Sequence, residues 1–214
     1  MTAEKFDVII LGGGNAGMGV TGPVRRAGMS VAMIEADLLG GTCPNRGCTP
    51  KKVLVAAGHA LHAIERASAH RIAVGKPKLD WAALIDREKH LIRIAPQETA
   101  LLPETEEEVG LARRHVEVIR GHAVFASPNS ICVGSRELDA RHIVIATGSK
   151  PRPLPFPGSE LMITSDDMLS DRQLPASVIF IGGGVIALEF GHVYARTGVE
   201  VTILPRTSVP VDRD

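Results

Sequence analysis

Residues 8–35 and 178–205 align without a gap at an offset of 170 (178 − 8), and this internal repeat constrains the fold more than any other feature of the chain. Identities fall at Val8/Val178, Ile9/Ile179, Gly12/Gly182, Gly13/Gly183, Gly14/Gly184, Arg26/Arg196, Gly28/Gly198 and Val31/Val201. Each copy reads as an apolar strand, a glycine turn, a helix and a second apolar strand.

In the first copy Gly12, Gly14 and Gly17 form G-x-G-x-x-G, and Glu35 supplies the acidic residue expected about 20 positions later. The first glycine permits a tight turn, the second lets backbone approach a pyrophosphate, and the third allows close packing of helix on strand. The free N–H groups of the following helix then bind the anion. The second copy has Gly182, Gly184 and Ala187, alanine being an accepted variant of the third glycine. The pattern predicts an α/β fold with two Rossmann-like dinucleotide-binding units, the second incomplete, and two bound nucleotides. Pro23 falls inside the first predicted helix and should shorten or bend it.

Between the copies, Lys51 to Ala69 and Trp81 to about Glu108 read as helices. Val116 to Leu138 reads as short strands broken at Gly121, Ser127 to Asn129 and Gly134, and His142 to Ala146 as a buried strand. Prolines 151, 153, 155 and 157 then mark a stiff extended linker. The expected organisation is a nucleotide domain over 1–150, a linker over 151–176, and the first part of a second nucleotide domain over 177–214. The acidic run Glu104 to Glu108 reads as a solvated helix end.

Lys plus Arg and Asp plus Glu are both 24, so the formal net charge is zero, and neither nucleic acid nor an anionic membrane is an expected partner. The apolar run Val8 to Leu11 is too short for a signal core or a membrane span, which makes the cytoplasm the expected compartment. Three cysteines are too few for a disulfide scaffold, and in a reducing compartment a close pair points to redox chemistry or metal. Cys43 and Cys48 are that pair; Cys132 lies in a strand-like run and reads as packing.

The segment from Gly40 to Lys52, GGTCPNRGCTPKK, follows the first unit directly, which puts its cysteines at the carboxyl end of the predicted sheet, where a cofactor would sit. Five residues of regular helix would separate the two Cα atoms by roughly 8 to 9 Å, beyond the roughly 7 Å limit of an unstrained disulfide. The segment must therefore depart from ideal helix, and Pro44 and Gly47 suit that. A helix starting near Cys48 favours its thiolate through the N-terminal dipole. A stapling disulfide is the plainer alternative; zinc would need two further ligands, and His59 and His62 complete no familiar spacing and read as helix surface.

This block resembles the active-site segment of the class I pyridine nucleotide-disulfide oxidoreductases, the class that includes glutathione reductase, dihydrolipoyl dehydrogenase and mercuric reductase. The resemblance extends over essentially the whole chain, through the first glycine unit with Glu35, Ile143 to Gly148, Ile163 to Asp166, and Gly182 to Glu189. It implies that the first unit binds FAD, with Glu35 on the adenosine ribose, Gly12, Gly14, Gly40, Gly41 and Thr42 lining the cofactor, Ala123 contacting adenine through backbone, and Thr147 with Gly148 on the flavin side. The second unit would bind NADPH or NADH. The implied reaction passes a hydride from nicotinamide to flavin, which reduces a Cys43–Cys48 disulfide through Cys48, and Cys43 then exchanges with a small disulfide or dihydrolipoyl-type substrate. Lys52 and Glu189 match an ion pair beside the flavin.

That family runs to more than twice this length, so the expectation is a fragment or truncated product without the interface domain that supplies a His-Glu pair and most of the homodimer contact. Arg46 replaces the small apolar residue usual in the cysteine block. A non-catalytic remnant that binds FAD or adenine nucleotide is the alternative function, and a flavoprotein of oxygenase or electron-transfer type would have no need of the cysteines. For substrate the signs diverge: Pro50-Lys51-Lys52 resembles the glutathione-reductase form, whereas Val185 to Glu189 and Val201 to Leu204 resemble the mercuric-reductase form. In the second copy Pro205 stands where Glu35 stands in the first, and Arg206 follows; a guanidinium there suits a 2′-phosphate and predicts NADPH over NADH.

Overall fold

The computed structural model describes residues 3–92 and 106–205. In chain order its main elements are β1 (Glu4–Leu11), α1 (Asn15–Arg26), β2 (Val31–Glu35), α2 (Thr42–Arg46), α3 (Cys48–Arg66), α4 (Trp81–Ile92) and α5 (Glu106–Arg113). There follow β3 (Val116–Arg120), β4 (Ala123–Ser127), β5 (Ser130–Val133), β6 (Arg136–Ile145), α6 (Ser165–Met168), β7 (Ser177–Ile181), α7 (Val185–Arg196) and β8 (Glu200–Leu204). They gather into two compact units, 1–45 with 96–153 and 46–95 with 154–214.

The first unit is a six-stranded sheet in the order β3-β2-β1-β6-β5-β4. The four strands β3, β2, β1 and β6 are parallel, and β5 and β4 continue the sheet antiparallel. Because β1 and β2 are central, both their faces are covered, which is why they read as unbroken apolar runs. Ile9, Leu11, Ala32 and Ile34 pack on one face with Ile119, Ile131 and Leu138, while Val8, Ile10, Val31 and Met33 pack on the other with Leu111 of α5 and with Met18, Val20 and Val24 of α1. The predicted breaks at Gly121, at 127–129 and at Gly134 are the loops between β3, β4, β5 and β6. The strand read at His142 to Ala146 is the far end of the longer β6. Its end is less buried than its apolar run suggests, Ile145 being 69% exposed, because β5 pairs β6 only as far as Asp139. Helix α1 runs through Pro23 and stops three residues later at Arg26.

The second unit sets the parallel pair β7-β8 against α7, with α3 and α4 completing the layer. Its grouping does not follow chain order: among the described residues, 46–92, read from sequence as part of one domain over 1–150, group with 154–205. Leu54 of α3 and Trp81, Leu84 and Ile85 of α4 share a core with Phe180 of β7 and with Phe190, Val193 and Tyr194 of α7. Gly58 permits the helix contact, since a Cβ there would already lie 3.3 Å from a Val193 methyl. The segment read as a linker contributes to the same core through Met168 and Leu169, behind the capping box of Thr164 and Asp167 on α6.

One core position carries the wrong chemistry for its place. Trp81, Leu84, Ile85 and Glu88 form the i, i+3, i+4, i+7 stripe of α4, and Glu88 is fully buried with neither carboxylate oxygen hydrogen-bonded. The Lys89 ammonium lies 3.6 Å from one oxygen, too far to donate well. Burial raises the Glu88 carboxyl pKa, and Lys89 opposes it only in part. A carboxyl whose folded pKa is raised stabilises the fold least at high pH, where it must either ionise in the core or stay protonated at a cost. Glu88→Met should therefore stabilise this unit by about 1–3 kcal/mol at about pH 8, with the gain shrinking toward about pH 5. Denaturation followed by Trp81 fluorescence measures it; a variant less stable than the parent at high pH would contradict this.

Candidate nucleotide and redox site

The first glycine turn lies at the carboxyl end of β1, where the topology places a ligand in an open α/β sheet. Gly12 has φ +104, and a side chain there would also place its Cβ 2.4 Å from the Ala146 carbonyl oxygen. The turn is thereby pressed against the end of β6, from which Thr147 and Gly148 continue, both exposed. A Cβ at Gly17 would lie 1.9 Å from the Gly12 carbonyl oxygen, so α1 can approach the turn only with glycine there. Gly14 caps α1 without any side-chain bond, leaving the first helical N–H groups facing outward. The loop after β2 returns to this point: Gly40 bridges to Gly14 and its N–H donates to the Gly13 carbonyl at 2.9 Å. Gly41, with φ +65, comes so near that its Cβ would lie 2.8 Å from the Gly14 Cα.

Glu35 closes the same rim. One carboxylate oxygen accepts the Gly13 N–H at 2.7 Å and the other the Asp37 N–H at 2.8 Å. Two of its roughly four acceptor positions are thereby used, which leaves capacity for a diol. The backbone carbonyl of Glu35 accepts the Gly121 N–H at 2.9 Å, which ties the β3-β4 turn, and Ala123 just beyond it, to the end of β2.

The second turn repeats two backbone bonds of the first. Gly12 N–H donates to Ile34 and Gly182 N–H to Leu204, at 2.8 and 2.9 Å; Met18 N–H donates to Gly14 and Leu188 N–H to Gly184, at 2.8 and 3.1 Å. The strand register Val8 to Val31 recurs as Val178 to Val201. The copies differ in surroundings. Among the described residues no atom lies within 4 Å of a Cβ built at Gly182 or Gly184, and Ala187, at the place of Gly17, is buried. Pro205 follows β8 where Glu35 ends β2; Arg206 lies outside the described residues.

The cysteine segment departs from regular helix as its spacing requires. Thr42 opens the five-residue α2, which holds half-buried Cys43, and Gly47 (φ −136, ψ −104) interrupts it before α3 begins at exposed Cys48. Pro50 falls in the first turn of α3, where its missing N–H costs no helical bond. The amide of Asn45 donates to the carbonyls of Leu39 and Gly41, both at 2.9 Å, and so fastens α2 to the Gly40-Gly41 loop. Arg46 lies 3.7 Å from Asp166 in an exposed ion pair.

Glu189 pairs with Lys51, not with Lys52 as the sequence reading expected. The reason is helical phase. Lys51, Leu54, Gly58, Leu61 and Glu65 fall on one stripe of α3, the side that meets α7, whereas the next residue is rotated by about 100°. Lys52 instead lines a separate open cavity of about 570 Å³ with Thr49, Leu84, Arg87 and Leu91. The apolar stripe through Leu54, Gly58 and Leu61 was the signal that selects Lys51. Among the described residues no group of three or more His, Cys, Asp or Glu is arranged to hold a metal ion, and no helix is long and apolar enough to cross a membrane. Because the Lys51–Glu189 pair is partly shielded, Lys51→Met should destabilise the α3–α7 packing by about 1 kcal/mol, while Lys52→Met leaves it unchanged. Trp81-monitored urea denaturation separates the two; equal effects would contradict the phase argument.

Comparison with known proteins places this geometry. The family profile described as pyridine nucleotide-disulphide oxidoreductase matches residues 6–214. The chain is 32% identical over 206 residues to a dihydrolipoyl dehydrogenase of Chlamydia pneumoniae, covering 94% of this chain and 43% of that protein. It is 34% identical over 209 residues to a glutathione reductase of Burkholderia cepacia, covering 97% and 44%. Among solved structures, a copper(II) complex of a mutant of RclA, an HOCl-induced flavoprotein disulfide reductase from Escherichia coli, aligns with a TM-score of 0.76 at 26% identity, covering 97% of this chain and 44% of that one. The chain thus spans less than half the length of each of these three proteins.

Proposed function

Since the chain belongs to the pyridine nucleotide-disulphide oxidoreductase family, we propose that it carries the FAD site, the redox cysteines and the beginning of the NADPH site of a flavin-dependent enzyme that reduces a small disulfide. The observation that carries this reading is that backbone contacts between glycines, together with the Asn45 side-chain amide, join the nucleotide turn to the cysteine segment. Gly14 meets Gly40 and Gly41, and Asn45 fastens the helix bearing Cys43 to that same loop.

The residues fit FAD. Gly12, Gly14, Gly40, Gly41 and Thr42, with the uncapped start of α1, would hold the pyrophosphate through backbone donors, and Gly17 keeps the helix close enough for those donors to converge. Glu35 would accept the ribose hydroxyls, Ala123 would offer backbone to the adenine, and Thr147 with Gly148 would border the flavin side. When bound, FAD supplies a two-electron relay between the nicotinamide and the cysteine pair.

The chain's own part of the cycle is thiol exchange. In the two-electron reduced state the Cys43 thiolate attacks a sulfur of the substrate disulfide, forming a mixed disulfide and releasing one substrate thiolate. The Cys48 thiolate then attacks the Cys43 sulfur, which closes the Cys43–Cys48 disulfide and releases the second thiolate. The pair is ready again only after two electrons from the nicotinamide have reopened it. The N-terminus of α3 favours the thiolate of Cys48, and Lys51, held by Glu189, adds a fixed cation one turn along the same helix. In the second unit Gly182, Gly184 and Ala187 would shape the nicotinamide nucleotide site. NADPH is the preferred donor in this reading, because no carboxylate stands at Pro205 and Arg206 would pair with a 2′-phosphate.

The test is the purified chain reconstituted with FAD. It should turn yellow, and the reduced form should expose two more reactive thiols than the oxidised form, a gain that Cys48→Ser removes. With the missing length restored from a full-length version, NADPH should bleach the flavin faster than NADH, and Arg206→Ala should erase that preference. A protein that takes up no flavin, or whose thiol count is the same oxidised and reduced, would refute the proposal.

A further inference from the structure

A second polar contact joins α3 to α7, away from the cysteines. His59 of α3 and His192 of α7 meet edge to face with ring centroids 5.7 Å apart. His62, one turn beyond His59, has its Nδ1 buried without a hydrogen bond, 3.8 Å from a Glu65 oxygen. Glu65 in turn forms an ion pair with Arg196, whose Nε donates to His192 Nε2 at 3.3 Å. That last bond requires a lone pair on His192 Nε2, and so a neutral ring. Around Gly191, α7 meets Val201, Phe180 and Ile203. At this end of the seam, among the described contacts, three imidazoles and one guanidinium gather around one carboxylate, Glu65.

We propose that this contact is an acid-labile latch: proton uptake by His192 ends its acceptance of the Arg196 Nε–H within α7, sets two cations side by side at the seam where His192 meets His59, and loosens α3 from α7. The added proton sets a second cation beside Arg196, and Glu65, already paired with Arg196, can offset one charge, not two. Burial, then Arg196 and the two neighbouring histidines, hold the His192 pKa below the ordinary imidazole value. The sign follows: a base whose folded pKa is depressed contributes stability that is intact above its unfolded value and is lost as pH falls through the folded one. The window is mild acid. Since α3 begins at Cys48, loosening would reach the redox segment; this consequence rests on the proposed function, whereas the latch itself does not.

Urea denaturation of this chain followed by Trp81, which packs on Tyr194 of α7 at 5.3 Å, reads the latch without any redox step. Between about pH 8 and about pH 5.5 the transition midpoint should fall clearly in a Glu88→Met parent, which lacks the opposing pH dependence of that buried carboxyl, and much less in the same parent carrying the triple change His59→Gln, His62→Gln, His192→Gln. His59→Gln alone, a change at an exposed position, should flatten the dependence in part if the triple variant does not fold. A midpoint that drops as far in the folded variants as in the parent would overturn the latch and would leave the flavin and thiol results untouched. A parent midpoint that does not move with pH would do the same.

Discussion

At the first nucleotide turn, three glycines admit backbone approaches that no added Cβ would tolerate. Gly12 meets the end of β6, Gly17 lets α1 close on Gly12, and Gly41 meets Gly14, each at a distance no side chain tolerates. The consequence is chemical as well as steric. A rim made of peptide groups presents N–H donors, and with no side chain capping α1 they remain available to an anion. Glu35 adds the only strongly acidic group bonded to that rim among the described contacts, and it is oriented by two of the rim's own N–H groups. Position and charge of the site thus derive from one constraint, that three strand ends and a returning loop converge where no side chain fits.

The second copy shows which parts of that constraint are intrinsic to the strand-turn-helix unit. The bonds from Gly12 to Ile34 and from Gly182 to Leu204, and the matching helix starts at Gly14 and Gly184, recur because they are local. Among the described residues the crowding does not recur: no atom lies within 4 Å of a Cβ built at Gly182 or Gly184, whereas Gly12 and Gly14 have neighbours.

What was legible in the sequence follows the same division between local and tertiary. The repeat, the glycine turns, the strand breaks at Gly121 and Gly134 and the interruption of helix at Gly47 are encoded by neighbours within a few residues, and they appear as expected. The partner of Glu189 was missed by one position because Lys51 and Lys52 are equivalent in composition and differ only in phase on α3, which the stripe Leu54, Gly58, Leu61 decides. The grouping of residues 46–95 with 154–214 was not readable at all, since it depends on which apolar faces meet, and α3, α4 and α7 each offer one. Glu88 falls on the apolar stripe of α4, but nothing local says that a carboxyl would be left in a core without a hydrogen bond.

The central claim, that the first turn is a flavin site built from backbone approach, is tested most directly by FAD affinity in a pair of matched glycine variants. Gly41 and Gly134 have similar positive φ, +65 and +58, but a Cβ at Gly41 meets Gly14, whereas one at Gly134 meets no described atom within 4 Å. Both alanine variants bear the same backbone strain. Titration of FAD should show Gly41→Ala binding at least about tenfold more weakly than the parent, a loss of about 1.4 kcal/mol, with Gly134→Ala close to the parent. Equal affinities for the two variants would contradict the account.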